Sequence, residues 1–124
     1  MKHFEITDEM AGTLADWFRA MSDPNRIRLL AYLKEYGEVN VGVLADSLGL
    51  SQTSTSKHLA ILRTARIVQT RREGTTIFYA LCDDSIPQIC SIVGNNVLDH
   101  QDRLRAGIRS SRLNTAKSPA RKTR

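Results

Sequence analysis

Apolar side chains at Met10, Leu14, Trp17, Phe18 and Met21 recur at helical spacing, so residues 8–21 read as an amphipathic helix with an unusually large stripe. The next block, "SDPNRIRLLAYLKEYG", offers Asp23 as N-cap, Pro24 at the first helical position and Gly37 as a stop, with Ile27, Leu30 and Leu33 on one face. In "NVGVLADSLGLS", Val41, Leu44, Ala45 and Leu48 share one side of a short third helix that ends at Gly49, before Ser51 can cap a fourth. Two helices separated only by Gly49-Leu50-Ser51 form a helix-turn-helix candidate.

From Ile67 the period changes. "IVQTRR" and "TTIFYAL" are β-branched or aromatic runs parted by Glu73-Gly74, and a two-residue loop with Gly in second place suits a tight hairpin turn. A last helix begins near Asp84-Ser85-Ile86-Pro87 and carries Ile86, Ile89, Cys90, Val93, Val97, Leu104 and Ile108. The chain shows no internal repeat. The order predicts a mainly α protein with a β-hairpin wing: helices one to four, a two-stranded wing over residues 67–81, and a long C-terminal helix. That order is a winged helix-turn-helix.

The fourth helix opens with "SQTSTSKHLAIL", six residues of hydroxyl and amide before any apolar side chain. At ~100° per residue, Gln52, Arg63, Ser56, Ala60, Thr53, Thr64 and Lys57 fall in one arc, and no large apolar group enters it. Leu59, Thr55, Leu62, His58, Ala65, Ser54 and Ile61 form the opposite, core-facing arc. A surface helix kept merely soluble would mix Glu with Lys, yet residues 51–72 hold five Lys or Arg and no acid. The DNA major groove asks for such a face, since Gln pairs with adenine, Lys with guanine, and Ser or Thr with base edges or phosphates. The helix N-terminus adds free N–H groups and partial positive charge for phosphate. Arg71 and Arg72, at the hairpin tip, would reach a phosphate or the adjacent minor groove. His58 lies on the flank of the core arc, where packing or hydrogen bonding is the commoner role than ligation.

Charge sharpens the picture. The net charge of +5 is not spread evenly, because six of the eighteen Lys and Arg follow residue 108, in the acid-free "RSSRLNTAKSPARKTR". Residues 1–108 hold twelve cations against thirteen acids. The expected organisation is one domain over residues 1–108 and a mobile basic tail over 109–124, too poor in large apolar residues to repay the entropy of ordering. Trp17, Phe18 and Met21, with the apolar row from Ile86 to Ile108, exceed what a small helical core can cover, which predicts self-association. The expected dimer surface comprises Leu14, Trp17, Phe18, Ile89, Val93 and Val97.

No run approaches the ~18–20 apolar residues that span a bilayer, and Met1-Lys2-His3-Phe4 leads straight into acids instead of a signal-like stretch. The expectation is a cytoplasmic, nucleoid-associated protein with Cys82 and Cys90 as reduced thiols. Nothing in the chain resembles a nucleophile elbow, a phosphate-cradling glycine loop or a zinc-hydrolase motif, so an enzyme is not expected. The rival is a winged helix used for protein or RNA contact. An acid-free arc speaks against protein, and the arc's lack of stacking aromatics against RNA.

Three blocks, "MSDPNRIRLLAYL", "VGVLADSLGLSQTSTSKHLAILRTARIV" and "TRREGTTIFYAL", in this order and spacing, resemble the ArsR-type (ArsR/SmtB) bacterial repressors over roughly residues 10–100. The resemblance implies a winged-helix homodimer joined through its first and last helices. It would repress transcription at a palindromic operator on double-stranded DNA and be released, in many members, by a metal or metalloid. By position, Ser51, Gln52, Thr53, Ser54 and Ser56 match the start of the recognition helix, and Arg71, Arg72, Glu73 and Gly74 the wing tip. Thr55 departs from the usual aliphatic residue, and Thr75 from a frequent third wing cation.

The family's metal patterns fit poorly. "VNVGVLAD" has no thiols for a cysteine-rich site, and the last-helix pattern falls on Asp83, Ser85, Asn96 and Asp99, with His100 next door. No cofactor and no metal site are therefore expected. Cys82 and Cys90, with seven residues between them, are the candidate sensor thiols for a metalloid or an oxidant, against the simpler reading that both are small buried apolar residues.

Overall fold

A computed structural model describes residues 4–117, with side chains through residue 109. The elements are α1 (Asp8–Met21), α2 (Pro24–Tyr36), β1 (Val39–Asn40), α3 (Val41–Leu48), α4 (Gln52–Thr64), β2 (Val68–Glu73), β3 (Thr76–Leu81) and α5 (Ser85–Lys117). They divide into two compact units, Met1–Pro87 and Gln88–Arg124.

Each early helix starts where a side chain satisfies orphan N–H groups. Thr7 caps α1 through Met10 N–H, and Asp23 caps α2 through the N–H groups of Asn25 and Arg26, ahead of Pro24. Asn40 caps α3 through Val43 N–H, and Ser51 caps α4 through Ser54 N–H. Helix α3 stops at Gly49 in the left-handed region, where the Leu50 N–H reaches back to Ala45 C=O. Helix α4 stops the same way without glycine. Arg66 takes φ 61°, its N–H bonded to Arg63 C=O and the Ile67 N–H to Leu62 C=O.

The core of the first unit gathers Leu29, Leu30 and Leu33 of α2, Leu44 and Ala45 of α3, and Leu59 and Leu62 of α4, joined by Ile67, Val68 and Ile86. Ile27, expected inside, is 46% exposed, and Leu29 takes its place at 0%. Both lie within reach of the α2 stripe, and only the packing of α3 and α4 against it decides which one is covered. Ile61 is likewise exposed instead of buried, because α1 and α4 leave between them a groove of about 690 Å³ lined by Trp17, Ala20, Ala60 and Ile61.

The sheet is three-stranded and antiparallel, in the order β1-β3-β2. The sequence pattern showed two strands. The third, Val39–Asn40, pairs with Tyr79 and Phe78 and is too short to display an alternation of its own. The register also moves the hairpin turn by one residue. Glu73 pairs with Thr76, so the loop is Gly74–Thr75 with glycine first, at φ 63°. A positive φ at the first loop position alone is the type II′ pattern, which matches the right-handed strand twist.

The second unit is the remainder of α5, in which Ile92, Val93, Val97, Leu98, Leu104 and Ile108 are each about half exposed or more. The helix runs on to Lys117, past residue 108, where the charge pattern placed the start of a mobile tail. Residues 109–117 contain neither Gly nor Pro, and the next proline after Pro87 is Pro119. Residues 118–124 of the expected tail lie outside the described residues. Among the described residues, no helix is long and apolar enough to cross a membrane.

Candidate nucleic-acid interface

Helix α4 separates a buried seam from an exposed arc. Thr55, Leu59 and Leu62 are each 0% exposed, while Gln52, Thr53, Ser56, Lys57, Ala60, Arg63 and Thr64 are all exposed. Thr55 keeps its place in the core because its hydroxyl donates to Ser51 C=O at 2.8 Å, so the polar atom is satisfied where an aliphatic residue would need no partner. Ser54 is half-buried, and its N–H is taken by the Ser51 cap. No acid stands in the first turn of α4, which leaves the positive end of the helix dipole uncompensated by the protein.

The turn before α4 brings Gln52 over the start of α3. A Cβ on Gly42 would lie 3.6 Å from Gln52 Nε2 and 3.3 Å from the capping Oδ1 of Asn40, so the bare backbone at Gly42 leaves room for both groups. Lys57 and Arg63 make no ion pair among the described residues.

His58 is half-buried and faces the junction of α1 and α2. Its Nδ1 lies 3.3 Å from Arg26 Nη1. A guanidinium can only donate, so Nδ1 accepts and the ring proton sits on Nε2. Arg26 also donates from Nε to Ala20 C=O at 2.6 Å and from Nη2 to Arg19 C=O at 3.4 Å. One side chain of α2 thereby ties the last carbonyls of α1 to α4. The backbone N–H of Arg26 on its carboxylate, followed by that of Asn25, holds Asp23 below the usual carboxylate range, with the charge of Arg26 adding to it.

The two wing arginines, adjacent in sequence, stand apart in structure. Arg71 donates from Nη2 and Nε to Glu38 Oε1 at 2.6 and 2.9 Å and from Nη1 to Glu73 Oε2 at 3.0 Å. Its guanidinium carbon also lies 4.9 Å from the ring centre of Phe78. The hydrogen bonds to Glu38, then to Glu73, raise the pKa of Arg71, and the first of these holds Glu38 below its ordinary range. Arg72 is exposed and makes no ion pair among the described residues. Glu38 was absent from the sequence reading. Its only signal was an acid immediately before a short apolar pair, which does not reveal a partner thirty-three residues away.

Of the expected dimer residues, Leu14 and Trp17 are half-buried and Phe18 is 47% exposed in α1, with the Trp17 and Phe18 rings edge to face at 6.0 Å. In α5, Ile89 is half-buried, and Val93 and Val97 are exposed. Cys82 follows β3 directly and Cys90 lies in α5, both as free thiols. Desolvation, then the neighbouring Asp83 carboxylate, pushes the Cys82 thiol up, which lowers its thiolate fraction and so its nucleophilic reactivity. Asp83 itself is held low by the hydroxyl and N–H of Ser85. Among the described residues, no group of three or more His, Cys, Asp or Glu gathers as a metal site.

A tri-helical core, a helix-turn-helix with a wet second helix and a hairpin wing define a winged helix-turn-helix regulator. The arsR family of bacterial regulatory proteins matches residues 23–70. The chain is 37% identical over 95 residues to the nodulation protein NolR of Rhizobium meliloti, covering 76% of each chain. It is 39% identical over 84 residues to the transcriptional regulator KmtR of Mycobacterium tuberculosis, covering 68% of this chain and 64% of that one. The homodimeric winged helix-turn-helix DNA-binding domain of a Mycobacterium bovis protein superposes with a TM-score of 0.66 at 25% identity, covering 79% of this chain and 93% of that domain. This chain belongs to the arsR family of transcriptional regulators.

Proposed function

We propose that the protein is a homodimeric transcriptional repressor that reads palindromic duplex DNA with the exposed arc of α4. The observation that carries this reading is the division of α4 into an inner arc anchored by the fully buried Thr55, Leu59 and Leu62 and a fully exposed, acid-free one bearing Gln52, Thr53, Ser56, Lys57 and Arg63. Short hydroxyl and amide side chains let the helix backbone approach base edges, and the cations answer phosphate. Ser51 and Ser54 shape the N-terminus of that helix, and Arg72 supplies a cation from the wing. The homodimeric M. bovis domain and the apolar side chains of Phe18, Val93 and Val97 support pairing of two copies. Two α4 helices related by a two-fold axis would enter successive major grooves ~34–36 Å apart. Binding needs no resident metal and takes place on the nucleoid.

The test is fluorescence anisotropy of the full chain on duplexes selected from fragmented genomic DNA, beside sedimentation. Gln52→Ala and Lys57→Ala should each weaken selected-site binding by ~1–3 kcal/mol while leaving the dimer intact, and EDTA should change neither. Unchanged affinity and sequence preference in both variants would remove α4 from the reading role.

A further inference from the structure

The wing raises a question that the proposed DNA role leaves open: why place two arginines at a hairpin tip and then neutralise one of them? All three nitrogens of the Arg71 guanidinium are engaged, by two carboxylates, and its face covers Phe78. An arginine so committed presents little charge to a phosphate. The pleat explains the selection. Across the sheet, Asn40 pairs with Phe78 and Phe78 with Arg71, so Glu38, Phe78, Arg71 and Glu73 share one face. Arg72, one residue on, falls on the opposite face with Val68 and Thr70, and it makes no ion pair among the described residues.

The clasp also has a direction. Glu38 stands directly before β1, whose last residue, Asn40, caps α3, the first helix of the helix-turn-helix. Strand β1 pairs only with Tyr79 and Phe78, so from Arg72 to Ile77 the wing is a bare two-stranded hairpin, which is marginal by itself in water. The Glu38–Arg71 contact reaches over β3 and fastens the outer strand to the entrance of the reading motif.

We propose that Glu38 is a wing-positioning residue: through Arg71 it fixes the hairpin against the helix-turn-helix so that Arg72 meets a DNA phosphate, while Arg71 itself makes no phosphate contact. This rests on the DNA reading above, and its tests are separable from it. Glu38→Gln removes a negative charge near the polyanion, so simple electrostatics demands tighter binding. The clasp demands the reverse: binding weaker by about two- to fivefold, the scale of an exposed ion pair, with the slope of log affinity against log salt unchanged. Arg71→Gln should match it in size and leave the slope unchanged, and the double variant should be no worse than either single one. Arg72→Gln should lower the slope by about 0.9, the signature of one lost phosphate contact. Tighter binding by Glu38→Gln, or a slope loss of about 0.9 in Arg71→Gln, would overturn the assignment. Wing order is read without DNA by amide hydrogen exchange over residues 70–79, which should quicken several-fold in Glu38→Gln. Unchanged exchange there would also overturn it, whereas failure of the unaltered protein to bind duplex at low salt would count against the DNA reading alone.

Discussion

Helix α4 and the wing both carry cations to the surface of the same unit, and they hold them in opposite ways. On α4, Lys57 and Arg63 make no ion pair among the described residues, because the helix needs no help to stand: Thr55, Leu59 and Leu62 anchor it at 0% exposure. The hairpin has no such anchor beyond Val68, and one of its two arginines is taken up in holding the strand. An element with a buried face can give its whole outer face to a ligand, whereas an element without one must use polar side chains for its own geometry.

The largest effect should come from attacking the anchor. Leu59→Ala empties a fully buried site and should cost ~2–5 kcal/mol in urea denaturation, with duplex binding falling in proportion to the unfolded fraction. A cost below ~1 kcal/mol would mean that α4 is held by something other than its buried arc. A smaller change sharpens the junction between the two elements. Arg66 occupies a left-handed position that glycine adopts without strain, so Arg66→Gly should raise stability by ~0.5–1 kcal/mol, read as a higher urea midpoint. A loss instead would show that the Arg66 side chain does more than close the helix.

The smallest effect separates the elements by pH. Glu38 titrates below its ordinary value because Arg71 favours the carboxylate, so its contribution is whole above the usual glutamate range and fades as pH falls through the lowered value. The exposed arc of α4 has no acid to titrate. Below the pH range in which histidine side chains ordinarily charge, NMR on further acidification should therefore move the Glu38 carboxyl and the hairpin amides together, ahead of the exposed arc of α4. Simultaneous movement of both elements would signal global unfolding and remove the distinction.

Much of the candidate site was legible in the chain. Caps at Asp23 and Ser51, the stop at Gly49 and the 3.6-residue period fix where α2, α3 and α4 begin and end, since these signals act within one helical turn. The wet arc of α4 was legible for the same reason: neighbours on a helix face are set by spacing alone. Ile27 and Ile61 were misplaced because apolar character says that a residue can be buried, while the neighbouring helices decide whether it is.

The sequence by itself determined the order of elements, their caps and the chemistry of the reading face, because each depends on residues a few positions apart. Tertiary structure alone decided that β1 joins the sheet, that Leu29 and not Ile27 enters the core, and that Arg71 and not Arg72 meets Glu38. Those outcomes depend on strand register and on partners such as Glu38, thirty-three residues from Arg71, and no local pattern encodes a pairing over that distance.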